Sequence, residues 1–155
     1  MDKLKAFEAF VKVVDAGGFT RAGEALGMPK ATVSTLVQDL EAKGLLETTL
    51  VVIGTEFGRT PHIVTEHDNG RDHHPACFST VMAGAGVKGG TTHGKSDKEA
   101  RRPDSDPVSV QDFNATIGYA LGIDSQKILH SPSGRPFRMA GPEKGLGDPV
   151  KSIFA

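Results

Sequence analysis

Cysteine and tryptophan are the first things this chain lacks. Its 155 residues hold one cysteine, Cys77, and no tryptophan. A single thiol excludes any disulfide within the chain, which suits a reducing, cytoplasmic setting. Cys77 lies in an apolar run and reads as buried filler rather than a reactive thiol. Hydrophobic residues make up 37%, below the usual globular share. No apolar run reaches membrane-spanning length, and acidic Asp2 and Glu8 interrupt the N-terminus where a signal peptide would be apolar, so no membrane partner is expected. Charge of one sign is missing too. Net charge is −1, with six Lys or Arg and seven Asp or Glu in residues 1–50 and twelve of each beyond. No basic field exists to draw in nucleic acid, so any DNA binding must rest on local geometry.

Glycine and proline are plentiful, at 19 and 9. Most lie after residue 53, which makes the second part loop-rich. The length allows one domain, or a small domain plus a piece of another.

In the first fifty residues, Leu4, Phe7, Phe10, Val11 and Val14 recur at helical spacing and form an apolar stripe. Ala16-Gly17-Gly18 ends that helix. Thr20 is positioned to N-cap a second helix over Arg21 to Leu26, and Gly27 is a natural stop. Pro29 suits the first turn of a third helix. There Val33, Leu36, Val37 and Leu40 fall at i, i+3, i+4 and i+7. Three short helices joined by tight Gly-containing turns are the helix-turn-helix arrangement, although a three-helix bundle with no DNA contact has the same pattern.

The segment MDKLKAFEAFVKVVDAGGFTRAGEALGMPKATVSTLVQDLEA resembles the N-terminus of LysR-type transcriptional regulators over about residues 1–43. The resemblance implies that the third helix enters the major groove. It implies phosphate contacts from Thr20 and Arg21, and a DNA-facing set of Lys30, Ala31, Thr32, Ser34, Thr35 and Gln38. Their chemistry is suitable: Lys30 for a phosphate, the hydroxyls for phosphate or base edges, Gln38 for an adenine edge. Thr35 stands where that family usually carries Arg. Gly23 stands where Ala is usual, a change that should cost about 1 kcal/mol of helix stability. The family's wing hairpin and dimerisation helix should follow, but Leu45-Leu46-Glu47-Thr48-Thr49 departs from that pattern.

Beyond the third helix, Thr49 to Gly54 is a β-branched apolar run without alternation, which predicts a strand buried on both faces, as in a parallel sheet. Glu56 to Pro61 would then sit at its carboxyl end, where such sheets place their sites. A polar loop with His62, His67, Asp68, Arg71, Asp72, His73 and His74 follows. Ala76 to Ala83 reads as a second strand, Gly84 to Gly94 as a Gly-rich hairpin or loop, and Lys95 to Pro107 as a charged exposed stretch. Ser109 to Leu121 reads as an amphipathic helix, with Ser109 and Asp112 as a capping box and Val110, Phe113, Ile117 and Leu121 as its buried face.

The stretches GLLETTLVVIGTEFGRTPHI, GRDHHPACFSTVMAGAGVKGG, SDK, PVSVQDFNATIGYALGID and GRPF resemble, in order, the C-terminal part of the domain of unknown function 1501. That family is sulfatase-like and belongs to the alkaline phosphatase superfamily; the resemblance runs from about Leu36 to Ala155. It implies a divalent metal such as zinc, held by carboxylates and imidazoles at the strands' carboxyl ends. Glu56-Phe57 stands where metal-binding relatives carry Asp-His, which leaves Glu56 and His73 as the metal candidates. His62, His67, His73 and His74 read first as loop or buried hydrogen-bonding histidines, ahead of an occupied metal site. The strand that carries the nucleophile in that superfamily would precede this segment, where the helix-turn-helix stands, so no catalytic residue is assigned.

The expected architecture is mixed α and α/β. A LysR-like helix-turn-helix over 1–44 precedes an incomplete, loop-rich, sulfatase-like sheet segment over 45–155. The expected function is a DNA-binding module that meets DNA weakly and without strict sequence specificity, with no cofactor, and with enzyme activity of the second part left open. The alternatives are a metal-dependent phosphate or sulfate ester hydrolase, or a recombined chimera with neither activity. The stripe Val33, Leu36, Val37, Leu40 creates a conflict, since it could cover helix 1 or a sheet. Burying four such side chains contributes on the order of 6–10 kcal/mol, so one partner must win most of it.

Overall fold

Helix signals in the first fifty residues translate almost directly into structure. The computed structural model describes residues 2–65, 69–141 and 145–155. His67 and Asp68 of the expected polar loop lie outside the described residues. The chain divides into two compact units, residues 1–53 with 82–85, and residues 54–81 with 86–155.

The first unit opens with α1 (Lys3–Asp15), N-capped by the Asp2 carboxylate, which accepts from the Leu4 and Lys5 amides at 3.1 and 3.3 Å. Helix α2 (Phe19–Leu26) and helix α3 (Lys30–Ala42) follow. Thr20 is not the cap of α2. The helix starts two residues earlier, at Phe19 with Gly18 as its cap, and has no side-chain cap. The α2 C-terminus closes as expected: Gly27 is left-handed at φ 63°, and the Met28 amide donates to the Gly23 carbonyl at 2.8 Å.

The core of this unit is Ala9, Ala22 and Val33, with Val13, Ala16, Phe19, Leu26, Met28 and Leu36 packed around it. Helix α1 is therefore rotated from the expected stripe. Its fully buried residues are Ala6 and Ala9, whereas Leu4 is 81% exposed. Small side chains let the helix backbones approach closely, a signal that hydrophobicity alone underweights. Helix α3 behaves as read: Val33 and Leu40 are fully buried, and Leu36 and Val37 are half-buried. It packs against both α1 and α2, so the three helices win the contested stripe. Gly23 is also explained. A Cβ there would come within 2.6 Å of the Met28 carbonyl oxygen, so the crossing from α2 to α3 excludes the usual Ala.

After α3 come a short helix, α4 (Leu45–Thr48), and strand β1 (Val51–Ile53). Residues 82–85 return to this unit, and their strand β4 (Val81–Ala83) pairs with β1. The Ala85 amide donates to the Leu46 carbonyl at 2.7 Å. The expected doubly buried strand is not observed. β1 belongs to a two-stranded pair and Val52 is 37% exposed. The expected strand over 76–83 shrinks to its last three residues.

The second unit is built from short antiparallel pairs around one helix. β2 (Gly58–Arg59) pairs with β3 (His73–His74), β5 (Lys95–Ser96) with β6 (Pro103–Ser105), and β7 (Leu129–His130) with β8 (Pro136–Phe137). The charged turn between β5 and β6 is organised by Asp97, whose carboxylate accepts from the Glu99, Arg101 and Arg102 amides. Helix α5 (Val110–Ala120) has the expected capping box. Asp112 accepts from the Ser109 amide at 2.9 Å, and Ser109 Oγ accepts from the Asp112 amide at 3.0 Å. Its buried face differs from the expected one. Ala115, Thr116 and Gly118 are buried, while Val110 and Leu121 are 62% and 53% exposed. The reason is the C-terminal segment. It runs along α5, with the Asp148 amide donating to Asp112 Oδ1 and the Val150 amide to Thr116 Oγ1, each at 2.9 Å. Cys77 is half-buried rather than enclosed. Among the described residues no helix is long and apolar enough to cross a membrane.

Candidate nucleic-acid interface

Burying one face of α3 fixes what the other face presents. With Val33 and Leu40 turned into the core, Ala31, Thr35 and Gln38 fall at i, i+4 and i+7 on the opposite side, and all three are exposed. Lys30 and Thr32 are exposed on the flanks, while Ser34 is half-buried beside the packed face. From α2, Thr20 and Arg21 are exposed, and Arg21 Nη1 donates to the Ala16 carbonyl at 3.4 Å. That bond holds the guanidinium near the end of α1. The eight residues singled out from the sequence thus lie on two adjacent helices of one unit, six on α3 and two on α2.

Their states differ in ways sequence reasoning did not reach. Thr35 Oγ1 donates to the Ala31 carbonyl at 3.0 Å, so its hydroxyl is turned back into its own helix. The only signal available was the known tendency of helical Thr to bond four residues back. Gln38 makes no side-chain hydrogen bond among the described residues, so its amide is available to a partner. Electrostatically the surface is mild. Lys30 and Arg21 are its cations, with Glu24 exposed on α2 and Asp39 half-buried on α3.

The sulfatase-like resemblance implies a metal in the second unit, with Glu56 and His73 as its candidate ligands. Glu56 is exposed in the segment before β2. The His73 ring packs on Phe57, with centroids 3.8 Å apart and planes tilted by 31°. Among the described residues no three His, Cys, Asp or Glu side chains converge as a metal site would require. His62 and His74 instead line an open groove of about 450 Å³ with Pro61, Ala76, Arg101 and Arg102. Within it the His74 ring Nε2 lies 2.9 Å from the Arg101 carbonyl, and Arg101 Nε pairs with Glu99 at 2.9 Å.

Near the start of α5 the Asp112 carboxyl is shifted from its ordinary value. Burial alone would raise its carboxyl, but donation from Ser109 Oγ, the Ser109 amide and the Asp148 amide outweighs burial and holds it below the ordinary carboxylate range. This group organises a helix start rather than a reaction.

A family model described as Protein of unknown function (DUF1501) matches residues 18–154. The match starts within the three-helix unit, earlier than the Leu36 boundary expected from the sequence. An HTH-type transcriptional repressor of Pseudomonas aeruginosa (strain UCBPP-PA14) is 71% identical over 41 residues, 26% of this chain and 13% of that protein. An HTH-type transcriptional regulator of Xanthomonas campestris pv. campestris (strain 8004) is 49% identical over 57 residues, 34% of this chain and 17% of that protein. The chain thus spans less than a fifth of either regulator. No solved structure matches it.

Proposed function

The chain belongs to the family Protein of unknown function (DUF1501), and from that premise we propose that this member carries a DNA-binding module in its first unit. The module is a LysR-type helix-turn-helix over residues 1–44, joined to a sulfatase-like segment over 45–155 without assigned catalytic residues. One observation carries the reading: α3 buries its apolar face on α1 and α2 and leaves an exposed row of Ala31, Thr35 and Gln38, flanked by Lys30 and Thr32. This is the arrangement a recognition helix needs, with its back fixed and its front open to a groove. The similarity to two HTH-type regulators supports it, and a partner of that kind implies a cytoplasmic site of action.

In this reading Arg21, Lys30 and Thr20 touch phosphates, and Gln38 addresses an adenine edge. The segment after α3 forms α4 and β1 rather than a wing hairpin, so grip on the backbone is reduced. With two cations near the DNA, log affinity should fall with log salt at a slope of about −2. Fluorescence anisotropy of a labelled duplex across a salt series tests this. Lys30→Ala should flatten the slope by about 1. Absence of binding at low salt, or an unchanged slope in Lys30→Ala, would remove the proposal.

A further inference from the structure

The exposed row of α3 has an unusual centre. At Thr35 the hydroxyl proton is already committed to the Ala31 carbonyl at 3.0 Å. What Thr35 still offers a partner is its methyl group and a hydroxyl lone pair. One turn earlier on the same exposed face sits the methyl of Ala31. The middle of the candidate recognition surface is therefore an apolar spot, bounded by the Gln38 amide one turn later and by Lys30 at the N-terminal end.

We infer that Ala31 and Thr35 together read the C5 methyl of a pyrimidine in the major groove, so that the module prefers thymine where the base pair is otherwise the same. This rests on the DNA-binding reading above and adds the base chemistry to it. The major-groove edge of an A·T pair carries one apolar group, the thymine methyl, and apolar side chains such as Ala and the Thr methyl are its natural contacts. Thr35, with its hydroxyl proton satisfied internally, does not offer that proton to guanine O6 or N7. The Gln38 amide can take the N6 and N7 of an adenine in the same groove. The row therefore favours A·T pairs through two independent groups.

The test uses the full chain and short duplexes that differ only in the methyl. One pair is alternating dA-dT against its deoxyuridine counterpart. The other is alternating dG-dC against its 5-methylcytosine counterpart, which restores a methyl at the same groove position. Anisotropy titrations at low salt should show the methylated member of each pair bound about threefold to fivefold more tightly, the size expected for one methyl removed from water. Thr35→Val keeps the methyl and removes the hydroxyl, and should retain the discrimination. Thr35→Ser keeps the hydroxyl and removes the methyl, and should reduce it. Equal affinity for thymine and uracil duplexes overturns the inference while leaving DNA binding intact, as does undiminished discrimination in Thr35→Ser. No binding to any duplex overturns the DNA-binding reading and this inference together.

Discussion

Gly147 is the residue on which the second unit's closure depends most visibly. It lies against the first turn of α5, and a Cβ placed on it would overlap the Gln111 carbonyl group and the Asp112 nitrogen. Both obstacles are helix backbone, so they cannot swing aside as a side chain could. In Gly147→Ala the C-terminal segment must lift from α5. Lifting breaks the Asp148 amide to Asp112 carboxylate bond and the Val150 amide to Thr116 hydroxyl bond. A hydrogen bond to a charged group is worth about 1.5–3 kcal/mol and a neutral one about 0.5–1.5, so the expected loss is about 2–4.5 kcal/mol. The assay has a built-in reporter. Tyr119 is the only tyrosine, there is no tryptophan, and its ring lies edge-on to Phe154 at 5.1 Å. Urea denaturation followed by Tyr119 emission therefore reads this unit alone. Gly89→Ala, where the added carbon meets nothing within 4 Å, is the control and should stay within about 0.5 kcal/mol of the parent. A Gly147→Ala midpoint equal to the parent's would refute the argument from close approach.

Three further outcomes follow from the same packing. Leu40→Ala should cost about 2–5 kcal/mol in thermal melts followed by circular dichroism, because Leu40 is fully buried, whereas Leu4→Ala should cost little because Leu4 is 81% exposed. Gly23→Ala should fail to stabilise the first unit despite a helix-propensity gain of about 1 kcal/mol, since its Cβ meets the Met28 oxygen; a higher melting temperature would contradict this. Asp112 is held below the ordinary carboxylate value of about 3.9, so its contribution is present above that value and is lost as pH falls through the lower folded value. Melts should therefore show the parent losing stability on acidification below about pH 4, and Asp112→Asn losing less over the same range.

Local signals were legible in the sequence, and closures over distance were not. The α3 stripe, the Gly27 stop and the Ser109–Asp112 box are each written within a few neighbouring residues, and each appears in the structure. The mixed architecture was legible from the same periodicities, but α4 and the pairs β2–β3, β5–β6 and β7–β8 were not. The face of α1 was misjudged because Ala6 and Ala9 mark the closest approach, and alanine carries little weight in a hydrophobic pattern. The face of α5 was misjudged because the tail claims Asp112 and Thr116 through their polar atoms. Strand β1 was overestimated because its partner comes from residues 81–83, and a three-residue pair buries too little to enclose Val52. At the candidate interface, the identity and exposure of Thr35 could be read from the helical pattern. The commitment of its hydroxyl to Ala31 depends on a rotamer that the pattern does not specify.

The central claim is that the exposed row of α3 is the surface that meets DNA. Amide chemical-shift mapping of the full chain during titration with an alternating dA-dT duplex at low salt addresses it directly. Shifts concentrated on Thr20, Arg21 and residues 30–38, with the amides of α5 unmoved, are the expected result. Shifts centred elsewhere in the chain, or none, would contradict the claim.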